Sequence, residues 1–173
     1  MKIETKRLIL REMTEEDFAP LYRVLADREL MQHYPYTFDE ARVRDWIHKN
    51  IERYQIFGFG LWAVCLKETS EMIGDCGLTM QNINGQIKPE IGYHIHRDHW
   101  RKGYGSEAAR AVRDWAFTNR DFDRLYSYMK DTNIASWSTA AAAGLKRVKS
   151  YPDPVDGTLL VYAISREEWL GMA

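Results

Sequence analysis

The spacing of hydrophobic and polar residues changes its period repeatedly along the chain, and each period predicts an element. Short apolar runs or apolar-polar alternation predict strands at residues 7–12, 61–66, 72–80, 90–96, 124–129, 145–151 and 158–164. Helical spacing predicts helices that begin near residues 14, 37, 106, 131 and 165. This order predicts a mixed α/β sheet with helices on its faces, in one domain covering residues 1–173.

Capping and turn residues support these boundaries. A hydroxyl residue starts three of the predicted helices, and two of these starts have capping-box spacing: Thr14, Thr37 with Glu40, and Ser165 with Glu168. Asn84-Gly85 lies between two predicted strands, and this dipeptide is typical of a tight hairpin turn.

Charge and composition exclude several classes of protein. The 24 Lys and Arg residues are balanced by 25 Asp and Glu residues, which argues against a protein that binds nucleic acid by neutralising phosphates. The N-terminal residues are charged where a signal peptide is apolar, and no apolar run approaches the roughly 20 residues of a membrane span. We therefore expect a cytoplasmic protein without a membrane partner. In that setting Cys65 and Cys76 are expected to pack as small hydrophobic residues and not to form a disulfide.

A glycine-containing turn joins the strand at residues 90–96 to the next helix. Gly103, Tyr104 and Gly105 lie at this junction, and residues 100–106 are called the glycine turn below. A helix start leaves N–H groups unpaired and carries the positive end of the helix dipole, so such a turn suits an anion. The alternative is that the glycines serve only to make the chain turn tightly. The triphosphate motif GxxxxGK[ST] does not occur in the sequence. The dinucleotide motif GxGxxG is incomplete, because Ala108 stands at the position of its third glycine.

Five short motifs resemble the GNAT superfamily of acyl-CoA N-acetyltransferases, within it the branch of ribosomal-protein N-terminal acetyltransferases. The motifs are TKRLILR at 5–11, IGY at 91–93, WRKGYGSEA at 100–108, NIAS at 133–136 and AGL at 143–145. The resemblance implies a GNAT-like α/β (α+β) fold with a single mixed, mostly antiparallel sheet of about seven strands. It also implies acetyl-CoA as co-substrate and an N-acetyltransferase activity.

The resemblance assigns a role in binding acetyl-CoA to several residues. The backbone amides of the glycine turn would hold the CoA pyrophosphate: Arg101, Lys102, Gly103, Tyr104, Gly105 and Ser106. Tyr93, His94 and Ile95 would lend backbone groups to the pantetheine arm. Asn133 would touch that arm and Ser136 would lie near it, although both residues are equally consistent with capping of the following helix. Trp100 stands where the family has Gln or Arg. Arg97, Arg101 and Lys102 would neutralise CoA phosphates or serve only as surface charges.

The implied reaction is the direct attack of a primary amine on the acetyl thioester. An alkyl amine with a pKa of about 10.4 is protonated at neutral pH, so a base is needed. Glu90 is the candidate base, with a role as a strand-end residue as the alternative, and His94 is the reserve base on the same strand face. A backbone N–H near Ile95 would stabilise the oxyanion. Many family members protonate the leaving thiolate with a tyrosine at the position of Ala140, so the general acid is not identified.

The acceptor implied is the amine of a protein or peptide N-terminus or of a small molecule. A CoA-binding protein with little catalysis is the alternative, because Ala140 lacks an acidic side chain. The closely spaced His94, His96 and His99 do not predict a metal site, since the sequence nearby offers no third ligand at zinc spacing. The sequence leaves the oligomeric state open, with a homodimer among the options.

Overall fold

A single eight-stranded sheet forms the centre of the computed structural model, which describes residues 2–172. Across the described part of the chain the strand order is β1-β2-β3-β4-β5-β6-β8-β7. The strands are β1 Lys2–Glu4, β2 Leu8–Arg11, β3 Leu61–Leu66, β4 Met72–Ile83, β5 Gln86–Ile95, β6 Arg124–Lys130, β7 Lys146–Pro152 and β8 Thr158–Ser165. Neighbouring strands are antiparallel except β5 and β6, which are parallel.

The helices cover both faces of this sheet. They are α1 Phe18–Leu25, α2 Glu40–Phe57, α3 Tyr104–Asn119, α4 Ile134–Ala142 and α5 Arg166–Leu170, with short 3-10 turns at Glu15–Asp17 and Arg97–His99. Strand β3 shows why two layers form, because alternate side chains point to opposite faces. Ala63 and Cys65 pack with the apolar residues of α1 and α2, whereas Trp62 and Val64 pack with those of α3 and α4.

The predicted helices and strands are confirmed, with two differences: the number of strands and the residue that caps α2. The predicted sheet of about seven strands has eight, because the short strand β1 pairs with β2 and carries too few residues to show a periodic pattern. The capping box predicted at Thr37 is wrong. Asp39 is the N-cap of α2 and its carboxylate accepts from the backbone N–H of Arg42 at 2.9 Å. A carboxylate one residue before the helix caps as well as a hydroxyl does, so spacing alone did not distinguish them.

Other local predictions agree with the structure. Thr14 is the N-cap predicted for the first helical segment, where it forms a capping box with Asp17, and the capping box predicted at Ser165 is present. Asn84 and Gly85 have φ values of 50° and 85°, and this left-handed pair turns β4 into β5. Cys65 and Cys76 are free and buried. None of the helices within residues 2–172 combines the length and the hydrophobicity of a membrane span.

Candidate active site

A gap opens in the sheet between β5 and β6. Within the described residues the two strands are in register at one position, Glu90 opposite Tyr126. The Ser127 hydroxyl donates to the carbonyl of Ile91 at 2.6 Å just beyond it. Past this point the side chain of Tyr93 reaches from β5 to α4, where its hydroxyl donates to the carbonyl of Ser136 at 2.5 Å. We call this opening the β5–β6 gap.

Alternate residues of β5 direct their backbone groups to opposite edges. The carbonyls of Ile91 and Ile95 accept from Ser127 and from the Trp100 indole, so they point away from β4. His94 pairs instead with Asp75 of β4. By this alternation the backbone groups of Tyr93 and the N–H of Ile95 face the β5–β6 gap, whereas those of His94 face β4. Tyr93 and Ile95 can therefore offer backbone hydrogen bonds to a ligand in the gap, and His94 can offer its side chain.

The glycine turn brings the start of α3 to the end of β5. Gly103 is the N-cap of α3 with φ 80°, and it has no side chain to satisfy the first-turn N–H groups. Arg101 also lies in the left-handed region, at φ 61°, which is uncommon for a residue with a side chain. A Cβ added at Gly105 would lie 3.7 Å from Thr139 of α4 and 3.8 Å from Ile95. The uncapped helix start and the β5–β6 gap are thus adjacent.

Trp100 has a structural role at the position where the resemblance expects Gln or Arg. Its indole Nε1 donates to the carbonyl of Ile95 at 2.7 Å. This bond ties the last residue of β5 to the beginning of the glycine turn. Arg101 and Lys102 are exposed beside it, but Arg97 is not a free cation, because it pairs with Asp27 at 2.9 Å and with Glu29 at 3.0 Å.

Asn133 and Ser136 lie at the start of α4. The Asn133 side-chain oxygen accepts from the backbone N–H of Ser136 at 3.2 Å, which is an N-cap hydrogen bond. The Ser136 hydroxyl lies 3.4 Å from the Tyr93 hydroxyl. The capping role considered for these two residues is therefore present in the structure, next to the β5–β6 gap.

Glu90 is half-buried on the face of β5 that looks toward α1 and α2. Desolvation raises the pKa of its carboxyl group to about 8, although the Tyr128 backbone N–H, which donates to Oε2 at 3.3 Å, lowers it. Burial, followed by the charge of Glu90, raises the pKa of Tyr128 to about 12. A carboxyl group with such a pKa can exchange a proton near neutral pH.

His94 belongs to a chain of hydrogen bonds formed by four separate segments. Its Nδ1 lies 2.7 Å from Asp75 Oδ1, and Asp75 Oδ2 accepts from the Trp46 indole at 2.9 Å. The Tyr34 hydroxyl lies 2.8 Å from His94 Nε2. Because a carboxylate only accepts hydrogen bonds, Nδ1 carries a hydrogen, and in the neutral form of the imidazole Nε2 accepts from the Tyr34 hydroxyl. We call these four residues the His94 chain.

The His94 chain and Glu90 share one environment. Burial raises the pKa of Tyr34 far above its usual range, and the carboxyl groups of Glu90 and Asp75 add to this effect. The rings of Tyr34, Tyr36 and Phe38 pack edge to face or tilted against one another at this place. Phe57 and Phe59 lie outside this group: they stack on each other, and Phe59 also contacts Phe122.

Sequence reasoning missed Asp75, Trp46 and Tyr34 as partners of His94. Asp75 offered one signal, since it is an acid inside an otherwise apolar strand, and a fully buried carboxylate needs partners. The three histidines considered for a metal have separate partners: His94 has Asp75, His96 accepts from the backbone of Asp98, and His99 lies near Glu71. In residues 2–172 no group of three or more His, Cys, Asp or Glu side chains is arranged to hold a metal ion.

The chain is similar to known proteins over most of its length. The family model described as "Acetyltransferase (GNAT) domain" matches residues 7–146. YkkB of Bacillus subtilis (strain 168) is 34% identical over 158 residues, covering 89% of this chain and 92% of YkkB. The uncharacterized N-acetyltransferase p20 of Bacillus licheniformis is 35% identical over 137 residues, covering 76% of this chain and 75% of p20. The solved structure of RimL, a ribosomal L7/L12 alpha-N-protein acetyltransferase in complex with coenzyme A, has the same fold with a TM-score of 0.81, at 19% identity and with 97% and 99% coverage.

Proposed function

The chain belongs to the GNAT acetyltransferase family, and on this premise we propose that the β5–β6 gap receives the thioester of acetyl-CoA and that Glu90 is the catalytic base. The protein is an acetyl-CoA-dependent N-acetyltransferase, which transfers the acetyl group to an amine. The proposals below concern the residues that perform this transfer and the kind of amine that accepts it.

The glycine turn is proposed to hold the CoA pyrophosphate. The observation that supports it is the uncapped start of α3, where Gly103 leaves the amides of Tyr104, Gly105 and Ser106 without a side-chain acceptor. Arg101 and Lys102 are exposed next to these amides and add positive charge. From there the pantetheine arm would enter the gap and meet the backbone groups of Tyr93 and Ile95.

The amine is proposed to approach from the α1–α2 face and to transfer a proton to Glu90 as it attacks the thioester. Glu90 fits this role better than His94 because both ring nitrogens of His94 have partners, Asp75 and Tyr34. Glu90 Oε2 accepts one long hydrogen bond, and its Oε1 lies beside Gly92, where a Cβ would be 3.7 Å away. The N–H of Ile95 is proposed to stabilise the oxyanion that forms on the acetyl carbonyl.

The acceptor is proposed to be the primary amine of a protein or peptide N-terminus or of a small molecule. In either case the partly exposed rings of Tyr34 and Tyr36 are proposed to border its approach to Glu90. A panel of peptides and small amines, assayed by thiol release from acetyl-CoA, distinguishes the two classes of acceptor.

The change Glu90→Gln tests the base. The wild-type carboxylate becomes more abundant as the pH rises through a pKa of about 8. The ratio of wild-type to variant kcat/KM should therefore increase from about pH 6 and level off at about 100 only near pH 9, about one unit above this pKa. Using the ratio cancels the ionisation of the amine itself, which is the same in both assays. A ratio that does not change with pH would remove Glu90 from the mechanism.

A further inference from the structure

The motif at residues 5–11 contacts the glycine turn, although β2 lies three strands away from β5 in the sheet. Thr5 and Arg7 lie immediately before β2, about a hundred residues from the turn in sequence, and both bind Glu107 in the first turn of α3. The Thr5 hydroxyl donates to Glu107 Oε1 at 2.6 Å, and the backbone N–H of Arg7 donates to the same oxygen at 2.9 Å. The Arg7 guanidinium Nε donates to Oε2 at 2.7 Å.

Arg7 also contacts the turn itself. Its Nη1 donates to the carbonyl of Lys102 at 2.8 Å, and its guanidinium lies over the ring of Tyr104, 4.4 Å from the centroid. A Cβ added at Gly103 would come within 3.4 Å of Nη2. The guanidinium of Arg7 therefore contacts three groups around Gly103: the carbonyl of Lys102, the ring of Tyr104 and the carboxylate of Glu107.

The negative charge of Glu107 opposes the binding of an anion at the start of α3, and Arg7 neutralises this charge. A negative charge in the first turn of a helix competes with an anion for the positive end of the dipole and repels it. The Glu107 side chain is only 15% exposed, so water screens its charge poorly. Partial burial acts to raise its pKa, but the hydrogen bonds from Thr5 and Arg7 outweigh this and hold the pKa below its usual range. The group is thus ionised, and Arg7 neutralises it at the place where a pyrophosphate would bind.

We propose that Arg7 is a positioning residue for acetyl-CoA: it neutralises Glu107 and holds the glycine turn in the conformation that exposes its amides to the pyrophosphate. This inference rests on the proposed role of the glycine turn. It assigns Arg7 no contact with the substrate.

The change Arg7→Met tests the proposal by comparing two thioesters. The variant should raise KM for acetyl-CoA by about tenfold, since it loses two charge-assisted hydrogen bonds and leaves Glu107 unneutralised. The kcat at saturating acetyl-CoA should not change, and neither should kcat/KM for S-acetylpantetheine, which has no pyrophosphate. A fall in kcat, or an equal loss with both thioesters, would show that Arg7 only maintains the fold and would overturn the proposal. So would an unchanged KM for acetyl-CoA.

A double variant separates neutralisation from the geometry of the turn. Arg7→Met with Glu107→Gln removes the repelling charge as well as the guanidinium, so its KM for acetyl-CoA should lie between those of the wild type and Arg7→Met. A double variant no better than Arg7→Met would overturn the neutralisation. A third variant, Gly105→Trp, separates a failure of the proposed pyrophosphate site from a failure of the proposed role of Arg7. The tryptophan blocks the glycine turn directly, so an unchanged KM for acetyl-CoA in this variant would show that the pyrophosphate does not bind there.

Discussion

The proposed active site has two halves, one for the cofactor and one for the acceptor, and they are built in different ways. The cofactor half uses backbone groups of one continuous stretch, in which β5, the glycine turn and the start of α3 follow one another in the chain. The acceptor half uses side chains from four segments: Tyr34 between α1 and α2, Trp46 on α2, Asp75 on β4, and Glu90 with His94 on β5. A backbone site depends on local conformation, whereas the side-chain site depends on how distant segments pack. Changes to the two halves should therefore alter different kinetic constants.

The largest effect is expected from Gly105→Trp in the cofactor half. The indole would fill the space between the helix start, Ile95 and Thr139, where even a Cβ comes within 3.8 Å of both residues. Loss of several amide contacts to the pyrophosphate should weaken CoA binding by about 100-fold or more. Isothermal titration calorimetry measures this directly. Gly171→Trp is the control that tests for a general effect of adding tryptophan, because Gly171 is exposed, has a φ of −72° and leaves a Cβ no contact shorter than 3.5 Å.

A smaller effect, confined to the acceptor half, is expected from Asp75→Asn. The amide keeps one acceptor for the Trp46 indole but presents N–H to His94 Nδ1, which reverses the tautomer of the ring. We expect kcat/KM for the amine to fall by about tenfold while KM for acetyl-CoA stays unchanged. Asp98→Asn is the matched control, because Asp98 lies near His96 but its side chain is 76% exposed. A rise in KM for acetyl-CoA in Asp75→Asn would contradict the separation of the two halves.

The smallest effect is expected at Asn133, where the two halves approach each other. Asn133→Ala should lower the free energy of unfolding by about 1 kcal/mol, since it removes the N-cap of α4. Asn133→Asp retains the cap and should retain the stability. If the amide of Asn133 also donates to the pantetheine arm, Asn133→Asp raises KM for acetyl-CoA without loss of stability. Equal stability of all three proteins in denaturant titrations would exclude the capping role.

The sequence predicted the local structure of the proposed cofactor half better than the side-chain contacts of the proposed acceptor half, for the same physical reason. Gly103 and Gly105 at a strand-to-helix junction are local signals, and so is the Asn84-Gly85 turn that sets the register of β4 against β5. The pairing of His94 with Asp75 follows from that register. The contacts of Trp46 and Tyr34 with this pair depend instead on the packing of α2 and of the segment before it, which spacing within a short window does not encode. Glu107 shows the same limit, because its partners Thr5 and Arg7 lie about a hundred residues earlier in the sequence.

The line along which β5 meets β6 also divides the sheet by chain order. Strands β1 to β5 are joined in sequence as neighbours, whereas β6, β8 and β7 form a second group, and the two groups share one register position among the described residues. Amide hydrogens on this line should therefore exchange with solvent deuterium unevenly. We expect the amides of Tyr93 and Ile95, which face the gap, to exchange faster than that of His94, which pairs with β4. CoA lying in the gap would accept and donate backbone hydrogen bonds as a neighbouring strand does. Slower exchange at the amides of Tyr93 and Ile95 after CoA is added would show that the bound substrate bridges the two groups of strands.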